Sequence, residues 1–206
     1  MSQFFYVHPD NPQGRLMKQA ATMIHEGAVI VYPTDSGYAI GCHMGDKKAL
    51  ERICKIRNID KSHNFTLVCR DLSELSEYTR VDNSAYRLLK SNTPGPYTFV
   101  FKGSKEVPKR LLNPKRKTIG IRVPDNTIAQ ALLAEVNEPI MSTTLIMPGE
   151  SQAENDPEHI RDILEHHVDL IINGGFIGEH PTTVVDFSDG DATIIRVGEG
   201  DPSPFE

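Results

Sequence analysis

Apolar residues at the start of the chain change from a helical to a strand-like pattern. They recur at helical spacing from Leu16 to Ile24, and Gly27 follows as a C-terminal cap. The next segment, 28–32, is a continuous apolar run that stops at Pro33, as is typical of a buried strand. The pattern therefore predicts a helix followed by a buried strand.

The same alternation continues to the end of the chain. Further helices are predicted after capping residues, which are Asp46, Asp71 with Glu74, Asp82, Asp125 and Asp156 with Pro157. Further strands are predicted at 65–69, 97–101, 119–123, 140–146, 168–172, 183–187 and 193–197. Roughly seven strands with five or six helices predict one α/β (α+β) domain around a twisted, open mixed sheet flanked by helices. The last six residues, with Pro202 and Pro204, are expected to form a loose tail.

Composition is that of an ordinary globular protein, with 38% hydrophobic residues, 15 glycines and 14 prolines. No apolar run approaches the roughly 18 residues of a membrane helix, and no basic region followed by an apolar stretch opens the chain. We therefore expect a cytoplasmic protein without a membrane partner. Three cysteines, at positions 42, 54 and 69, lack CxxC spacing and are expected to be buried free thiols.

The net charge of −6 conceals a strongly basic middle segment. Between Lys47 and Arg122 lie 18 of the 22 Lys and Arg residues but only 7 of the 28 Asp and Glu residues, a balance of +11. The rest of the chain carries −17. Such a segment can form an anion-binding surface, for which phosphate is the usual ligand. Alternatively, folding distributes its charges over separate solvent-exposed faces.

Familiar nucleotide and metal motifs are absent from the sequence. There is no GxxxxGK[ST], no GxGxxG after a strand and no GxSxG. His159 and His166 lie two helical turns apart, but no HExxH motif is present, and five further histidines stand alone at positions 8, 25, 43, 63 and 180. We therefore predict no metal site, and any phosphate must be held by cationic side chains.

Cations and hydroxyls supply the candidate ligands. Lys55, Arg57 and Lys61 lie within seven residues at the end of a predicted helix, where they suit a polyphosphate or simply complement the helix dipole. Arg122 and Arg196 each lie inside an apolar strand, so each either points to solvent or is paired inside the protein. There are two hydroxyl clusters, 34–36 after a buried strand and 142–144 within one, and open α/β sheets bind ligands at the loops that follow strands.

Several of these segments, in this order, resemble the YrdC-like family of threonylcarbamoyl-adenylate synthases. They are Tyr32-Pro33-Thr34-Asp35-Ser36 with Tyr38, Lys55-x-Arg57 with Lys61, Pro94-Gly95-Pro96-x-Thr98, Gly120-Ile121-Arg122-Val123-Pro124, Ser142-Thr143-Thr144, Pro181-Thr182-Thr183-Val184-Val185-Asp186 and Ile195-Arg196-Val197-Gly198. The resemblance covers about 14–200, which we take as the domain, and leaves 201–206 as a C-terminal tail.

The resemblance implies a concave cationic site and a reaction. ATP phosphates would be bound by Lys55, Arg57, Lys61, Thr144 and Arg196, and threonine by Thr34 or Ser36, Arg122, Ser142 and Thr182. Threonine and bicarbonate would give a carbamate that attacks the α-phosphate of ATP, with Mg²⁺ bound to ATP, and the product would serve the t6A modification of tRNA. Such chemistry needs alignment and charge neutralisation rather than a covalent nucleophile.

The sequence also departs from the family pattern. Thr144-Leu145-Ile146 replaces the usual Ser-Ala-Asn, which removes an amide side chain; Asn58 replaces a proline; the loop 61–65 is about two residues longer; and a histidine expected near Val68 or Cys69 is missing. We therefore expect weak or altered synthase activity. The main alternative is a module that binds double-stranded RNA or tRNA through the basic segment.

Overall fold

A ten-stranded mixed sheet runs through the computed structural model, which describes residues 1–178 and 180–206. In chain order the strands are β1 (Gln3–Tyr6), β2 (Ile30–Thr34), β3 (Gly37–His43), β4 (Thr66–Val68), β5 (Tyr97–Lys102), β6 (Thr118–Arg122), β7 (Ile140–Thr144), β8 (Leu170–Asn173), β9 (Thr183–Asp186) and β10 (Thr193–Arg196). Their spatial order is β1-β8-β2-β3-β7-β4-β6-β5-β9-β10. The predicted single α/β domain with an open mixed sheet is confirmed.

The helices are α1 (Gly14–His25), α2 (Lys47–Arg57), α3 (Leu75–Tyr78), α4 (Asn83–Asn92), α5 (Thr127–Val136) and α6 (Pro157–Leu164), with two short 3-10 segments at Lys109–Leu111 and Ser203–Phe205. Asp46, Asp82 and Asp156 cap their helices as predicted. The cap predicted at Asp125 is wrong, because the side chain of Asn126 accepts the bond from the Ala129 amide.

The capping box predicted at Asp71 is also wrong. Its carboxylate accepts bonds from the amide and hydroxyl of Ser73 within a turn, and α3 begins only at Leu75. An aspartate whose side chain accepts a hydrogen bond from the backbone two residues later stabilises a turn, and this turn is an alternative to starting a helix there.

The sheet contains two strands that the sequence pattern did not predict, β1 and β3. β1 is a four-residue edge strand that pairs with β8 alone among the described strands. β3 forms a hairpin with β2 across a two-residue turn, Asp35 and Ser36, and begins at Gly37, whose φ of 105° favours glycine. The hairpin places the hydroxyl cluster 34–36 at one end of the sheet.

The C-terminus is not a loose tail. Phe205 is buried and packs against the rings of Tyr97, Phe99 and Phe187. Because β1 also belongs to the sheet, the packed domain extends beyond the predicted bounds 14–200 at both ends. Burial of an aromatic ring favours the docked C-terminus, and the two prolines reduce the backbone entropy that docking costs.

The two faces of the sheet are covered differently. On one face, side chains from most strands pack with α2, α3, α4 and α6 into one large apolar cluster. On the other, α1 and α5 pack over Ile30, Tyr32 and Leu170. Beyond this second cluster the same face continues over β7, β4, β6, β5 and β9 as a concave surface. None of the described helices is long and apolar enough to cross a membrane.

Candidate functional site

A cavity of about 600 Å³ lies on this concave surface, and strand alternation determines its lining. In β5, Phe99 and Phe101 point into the apolar cluster while Thr98 and Val100 line the cavity. The other strands contribute in the same way, with Thr66, Val68, Gly120, Arg122, Ser142, Thr144, Val184 and Asp186. Arg57, Arg122 and Arg196 all line this space, so we call it the arginine cavity.

Arg122 is held by a buried ion pair. Its Nη2 donates to Asp35 Oδ1 at 2.5 Å, and the other carboxylate oxygen accepts the backbone amide of Asp125. Arg122 is only 6% exposed, and its buried Nε has no hydrogen-bond partner among the residues that the structure describes. A strand-embedded arginine therefore turns inward here and lines the cavity.

Arg57 at the end of α2 reaches the cavity across the end of β7. Its Nε donates to the carbonyl oxygen of Ile146 at 2.7 Å, and its Nη1 donates to the hydroxyl of Thr143 at 3.2 Å. His63 Nε2 lies 2.9 Å from the same hydroxyl. Burial, followed by the charge of Arg57, lowers the pKa of His63 to about 4, so the ring is neutral at pH 7.

Arg196 lies at the rim of the cavity, on edge strand β10. Its Nε and Nη2 donate to the carbonyl oxygen of Thr182 at 3.0 and 2.8 Å, and the Thr182 hydroxyl lies 2.8 Å from that of Thr98. Gly198 allows this approach, because a Cβ there would lie 2.2 Å from the Pro181 carbonyl oxygen. Burial, with a smaller contribution from the charge of Arg122, lowers the pKa of Arg196.

Positive charge in the arginine cavity is only partly neutralised. Asp35 pairs with Arg122 and Asp186 pairs with Arg116, which also lines the cavity. Within the described part of the chain, no ion pair involves Arg57 or Arg196, which bond only to carbonyl and hydroxyl oxygens. Two guanidinium groups without a carboxylate make the cavity attractive to an anion.

The predicted hydroxyl residues have different positions. Ser142, Thr144 and Thr182 line the arginine cavity, and Ser36 lines an adjoining cavity of about 370 Å³ that shares Thr144, Thr182 and Arg196 with it. Thr34 is the exception, because it is buried and its hydroxyl donates to the carbonyl oxygen of Gly37 within the hairpin turn. The Thr34 hydroxyl therefore supports the hairpin turn, and Thr34 is not among the described residues that line either cavity.

Lys55 and Lys61, which are expected to share a surface with the arginines, are not among the described residues that line the arginine cavity. Both line a separate cleft of about 410 Å³ beside α2, which also receives Lys47 and Arg110. Residues two apart in a helix do not share a face, so Lys55 and Arg57 point in different directions. We call this second site the lysine cleft; Phe65 lines both spaces.

Sequence reasoning missed other polar residues that line the arginine cavity or support its arginines. His63 was treated as an isolated histidine, and Asp35 was considered only for its place in a hydroxyl cluster. Arg116 lines the cavity through its contact with Asp186. The alternation of Thr98 with apolar neighbours in β5 was the available signal, since a threonine on the less buried side of a strand borders a polar space.

Comparison with known proteins agrees with this architecture. The Sua5/YciO/YrdC family, described as "Telomere recombination", matches residues 22–198. The YciO protein of Escherichia coli is 62% identical over the full length of both chains, and its crystal structure superposes with a TM-score of 0.96. A threonylcarbamoyl-AMP synthase of Vibrio vulnificus is 28% identical, with 79% of this chain and 88% of the relative covered.

A more distant structure has the same fold. It is Sua5 of P. abyssi complexed with L-threonine, with a TM-score of 0.88 at 23% identity, covering 96% of this chain and 58% of that protein. The order of segments noted in the sequence, the ten-stranded sheet and the family match over most of the chain all agree. This chain therefore belongs to the Sua5/YciO/YrdC family.

Proposed function

We propose that this protein binds ATP and L-threonine in the arginine cavity and condenses them with bicarbonate into threonylcarbamoyl-AMP, at a rate well below that of the family's synthases. The observation that carries the proposal is the pair Arg57 and Arg196, which face one cavity without a carboxylate partner among the described residues. Guanidinium groups that lack a carboxylate partner favour binding of a polyanion such as triphosphate.

The amino acid would lie beside the phosphates. The guanidinium of Arg122 would bind the carboxylate, and Ser142 on β7 and Thr182, just before β9, add hydroxyls. Ser36 adds another from the adjoining cavity. The synthase relatives and the threonine complex of Sua5 support this choice of substrate.

The chemistry asks for positioning. The threonine amine adds to bicarbonate with loss of water, and an oxygen of the resulting carbamate attacks the α-phosphorus of ATP and expels pyrophosphate. Arginines would hold the phosphates in line and stabilise the charge that develops on them. Because this reaction consumes ATP, we also propose a cytoplasmic location.

Magnesium would enter with ATP. Asp186 is the one carboxylate among the described residues that line the arginine cavity, and it already binds Arg116. This lining fits an ion held mainly by phosphate oxygens, as is usual for Mg²⁺, whose role is to neutralise phosphate charge.

The low rate follows from the end of β7. Ile146 lines both adjoining cavities with an aliphatic side chain, while its carbonyl oxygen binds Arg57. The family amide that the sequence comparison expects here is therefore absent. Losing one hydrogen bond to a substrate costs about 1–3 kcal/mol, or roughly tenfold to a hundredfold in rate.

The test combines binding with product detection. Purified protein is incubated with ATP, L-threonine, bicarbonate and Mg²⁺, and threonylcarbamoyl-AMP and pyrophosphate are measured. We expect ATP binding and slow, threonine-dependent product formation, both reduced at least tenfold in Arg57→Ala and unchanged in Arg87→Ala, whose arginine is exposed on α4. Failure to bind ATP would disprove the proposal.

The lysine cleft favours a second candidate function, binding of double-stranded RNA or tRNA. Four cations, Lys47, Lys55, Lys61 and Arg110, line it beside apolar Ile59 and one carboxylate, Glu51, which pairs with Lys47. A row of exposed cations suits a phosphate backbone and predicts binding that weakens steeply with salt. In a gel shift at low salt, we expect the protein to bind a tRNA and the double variant Lys55→Ala/Lys61→Ala to lose this binding. If the unaltered protein binds no tRNA, this candidate function is eliminated.

A further inference from the structure

A cluster of metal-ligand side chains lies at the opposite end of β3 from the cavity. His25 ends α1, His43 ends β3, and Glu138 lies in the connection between α5 and β7. One ligand atom of each lies within 4.8 Å of those of the other two. His43 is four residues along β3 from the cavity residue Ala39, a distance of about 13 Å, so this cluster is separate from the arginine cavity.

The orientation of His25 suits a cation between its ring and Glu138. Its Nε2 lies 3.1 Å from the carbonyl oxygen of Val136, which can only accept a hydrogen bond, so Nε2 carries the proton. In the uncharged form of the ring, Nδ1 would present a lone pair toward Glu138 Oε1, 3.4 Å away. Lone pairs facing each other repel unless a proton or a metal ion lies between them. A backbone carbonyl on the far nitrogen is also the usual support of a metal-bound histidine.

His43 approaches the same carboxylate oxygen from the other side. Its Nε2 lies 2.6 Å from Glu138 Oε1, and its Nδ1 accepts the amide of Gly45 at 3.0 Å. Coordination through Nε2 would place the ring proton on Nδ1 and release the Gly45 amide. Gly45 is exposed, so water can take over that hydrogen bond.

We propose that His25, His43 and Glu138 bind a divalent transition-metal ion, with Zn²⁺ as the expected ion. Two imidazoles and one carboxylate are a common zinc ligand set, and tetrahedral coordination at about 2.0–2.2 Å separates ligand atoms by about 3.3 Å. The present separations of 2.6 and 3.4 Å lie on either side of that value, so side-chain adjustments suffice. The side chains are 27–46% exposed, which leaves an entry path and room for water as a fourth ligand.

Metal binding would join three segments that are far apart in the chain. The end of α1, the end of β3 and the start of β7 would share one ion, and an ion bound only by the folded state stabilises it. At a free Zn²⁺ concentration one hundred times the dissociation constant, the folding equilibrium constant rises about one hundredfold. This inference does not depend on the proposed function.

The experiment uses the full chain, treated with chelator and then titrated with Zn²⁺ alone in a calorimeter. We expect one equivalent to bind, a higher thermal midpoint, and, with Co²⁺ instead, the visible absorption of a site with nitrogen ligands. His25→Gln, His43→Gln and Glu138→Gln should each weaken binding at least tenfold, whereas His166→Gln, an exposed histidine on the loop after α6, should leave it unchanged.

Two results would overturn the proposal. One is the absence of stoichiometric Zn²⁺ binding and of a Co²⁺ spectrum in the unaltered protein, a measurement that needs no variant to fold. The other is unchanged affinity in the double variant His25→Gln/His43→Gln, shown by circular dichroism to be folded, which would assign the ion to other groups such as the half-buried thiol of Cys54.

Discussion

Arg122 and Asp35 lie 87 positions apart in the chain and form an ion pair in which Nη2 donates to Oδ1 at 2.5 Å. Both side chains are at most 10% exposed. Asp35 belongs to the hairpin turn between β2 and β3, and Arg122 ends β6, so the pair joins the hairpin to the far half of the sheet. It also orients Arg122 toward the arginine cavity.

Removing this carboxylate should destabilise the protein strongly. Asp35→Ala leaves a buried guanidinium unpaired, and we expect a loss of about 3–5 kcal/mol in the free energy of unfolding. Asp189→Ala serves as the control, since that carboxylate is 87% exposed and should change stability by less than about 0.5 kcal/mol. Denaturant unfolding of both variants measures the difference, and equal stabilities would show that the Arg122–Asp35 pair contributes little.

Arg57 and Lys61 should act on different ligands, because they line different spaces. Arg57→Ala should weaken ATP binding about tenfold or more and leave RNA binding nearly intact, while Lys61→Ala should do the reverse. Calorimetry with ATP and gel shifts with tRNA at two salt concentrations check this. If either variant weakened the binding of ATP and of RNA equally, the arginine cavity and the lysine cleft would form one binding surface.

Restoring part of the family pattern at the end of β7 should raise turnover. Leu145 is fully buried, so Leu145→Ala would cost about 2–5 kcal/mol of stability and is best avoided. Thr144→Ser with Ile146→Asn keeps the hydroxyl at 144 and adds an amide at 146 to the cavity lining, and we expect about tenfold faster formation of threonylcarbamoyl-AMP with little change in ATP affinity. Ile146→Val is the matched control, and a rate equal to that of the double variant would refute the role of the amide.

His63 should make stability depend on pH. Its folded-state pKa of about 4 lies below the ordinary value of 6.5, so between these values the unfolded chain binds more protons. Stability therefore rises with pH from about 4 to about 6.5 and is lost as the solution is acidified. The contribution is about 1–2 kcal/mol after allowance for the partial exposure of the ring.

His63→Asn removes this contribution. Between pH 7 and pH 4.5 the unaltered protein should therefore lose about 1–2 kcal/mol more unfolding free energy than the variant. A constant difference between the two proteins across this range would contradict the assignment. His166→Asn, which replaces an exposed ring, controls for the general effect of acid.

The C-terminal residues should contribute to stability in spite of their position. Phe205→Ala removes a ring buried between Tyr97, Phe99 and Phe187, and we expect a loss of about 3–5 kcal/mol. Ser203→Ala, in the same 3-10 segment but exposed, should have a much smaller effect. Thermal unfolding of the two variants decides between a docked and a free C-terminus.

The local sequence pattern was sufficient to predict most helices and strands and to indicate an anion-binding site. Period-two alternation in β5 and the caps at Asp46, Asp82 and Asp156 are short-range signals, because they depend on residues within one turn or one strand. The strand arginines Arg122 and Arg196 stood out because a charge inside an apolar segment requires a partner or solvent. Helical geometry also separates Lys55 from Arg57, a signal that the family resemblance obscured.

Tertiary structure alone decided which residues meet. Arg57 reaches Ile146 across 89 positions and Thr143 across 86, and the cluster of His25, His43 and Glu138 combines three segments that share no local pattern. Thr34, a candidate for binding threonine, donates its hydroxyl to the carbonyl oxygen of Gly37 within its own hairpin. Sequence spacing determines which face of a helix or strand a side chain occupies. Which other residues that face contacts depends on the order of strands in the sheet. That order depends on packing between segments far apart in the chain, so no short stretch of sequence can predict it.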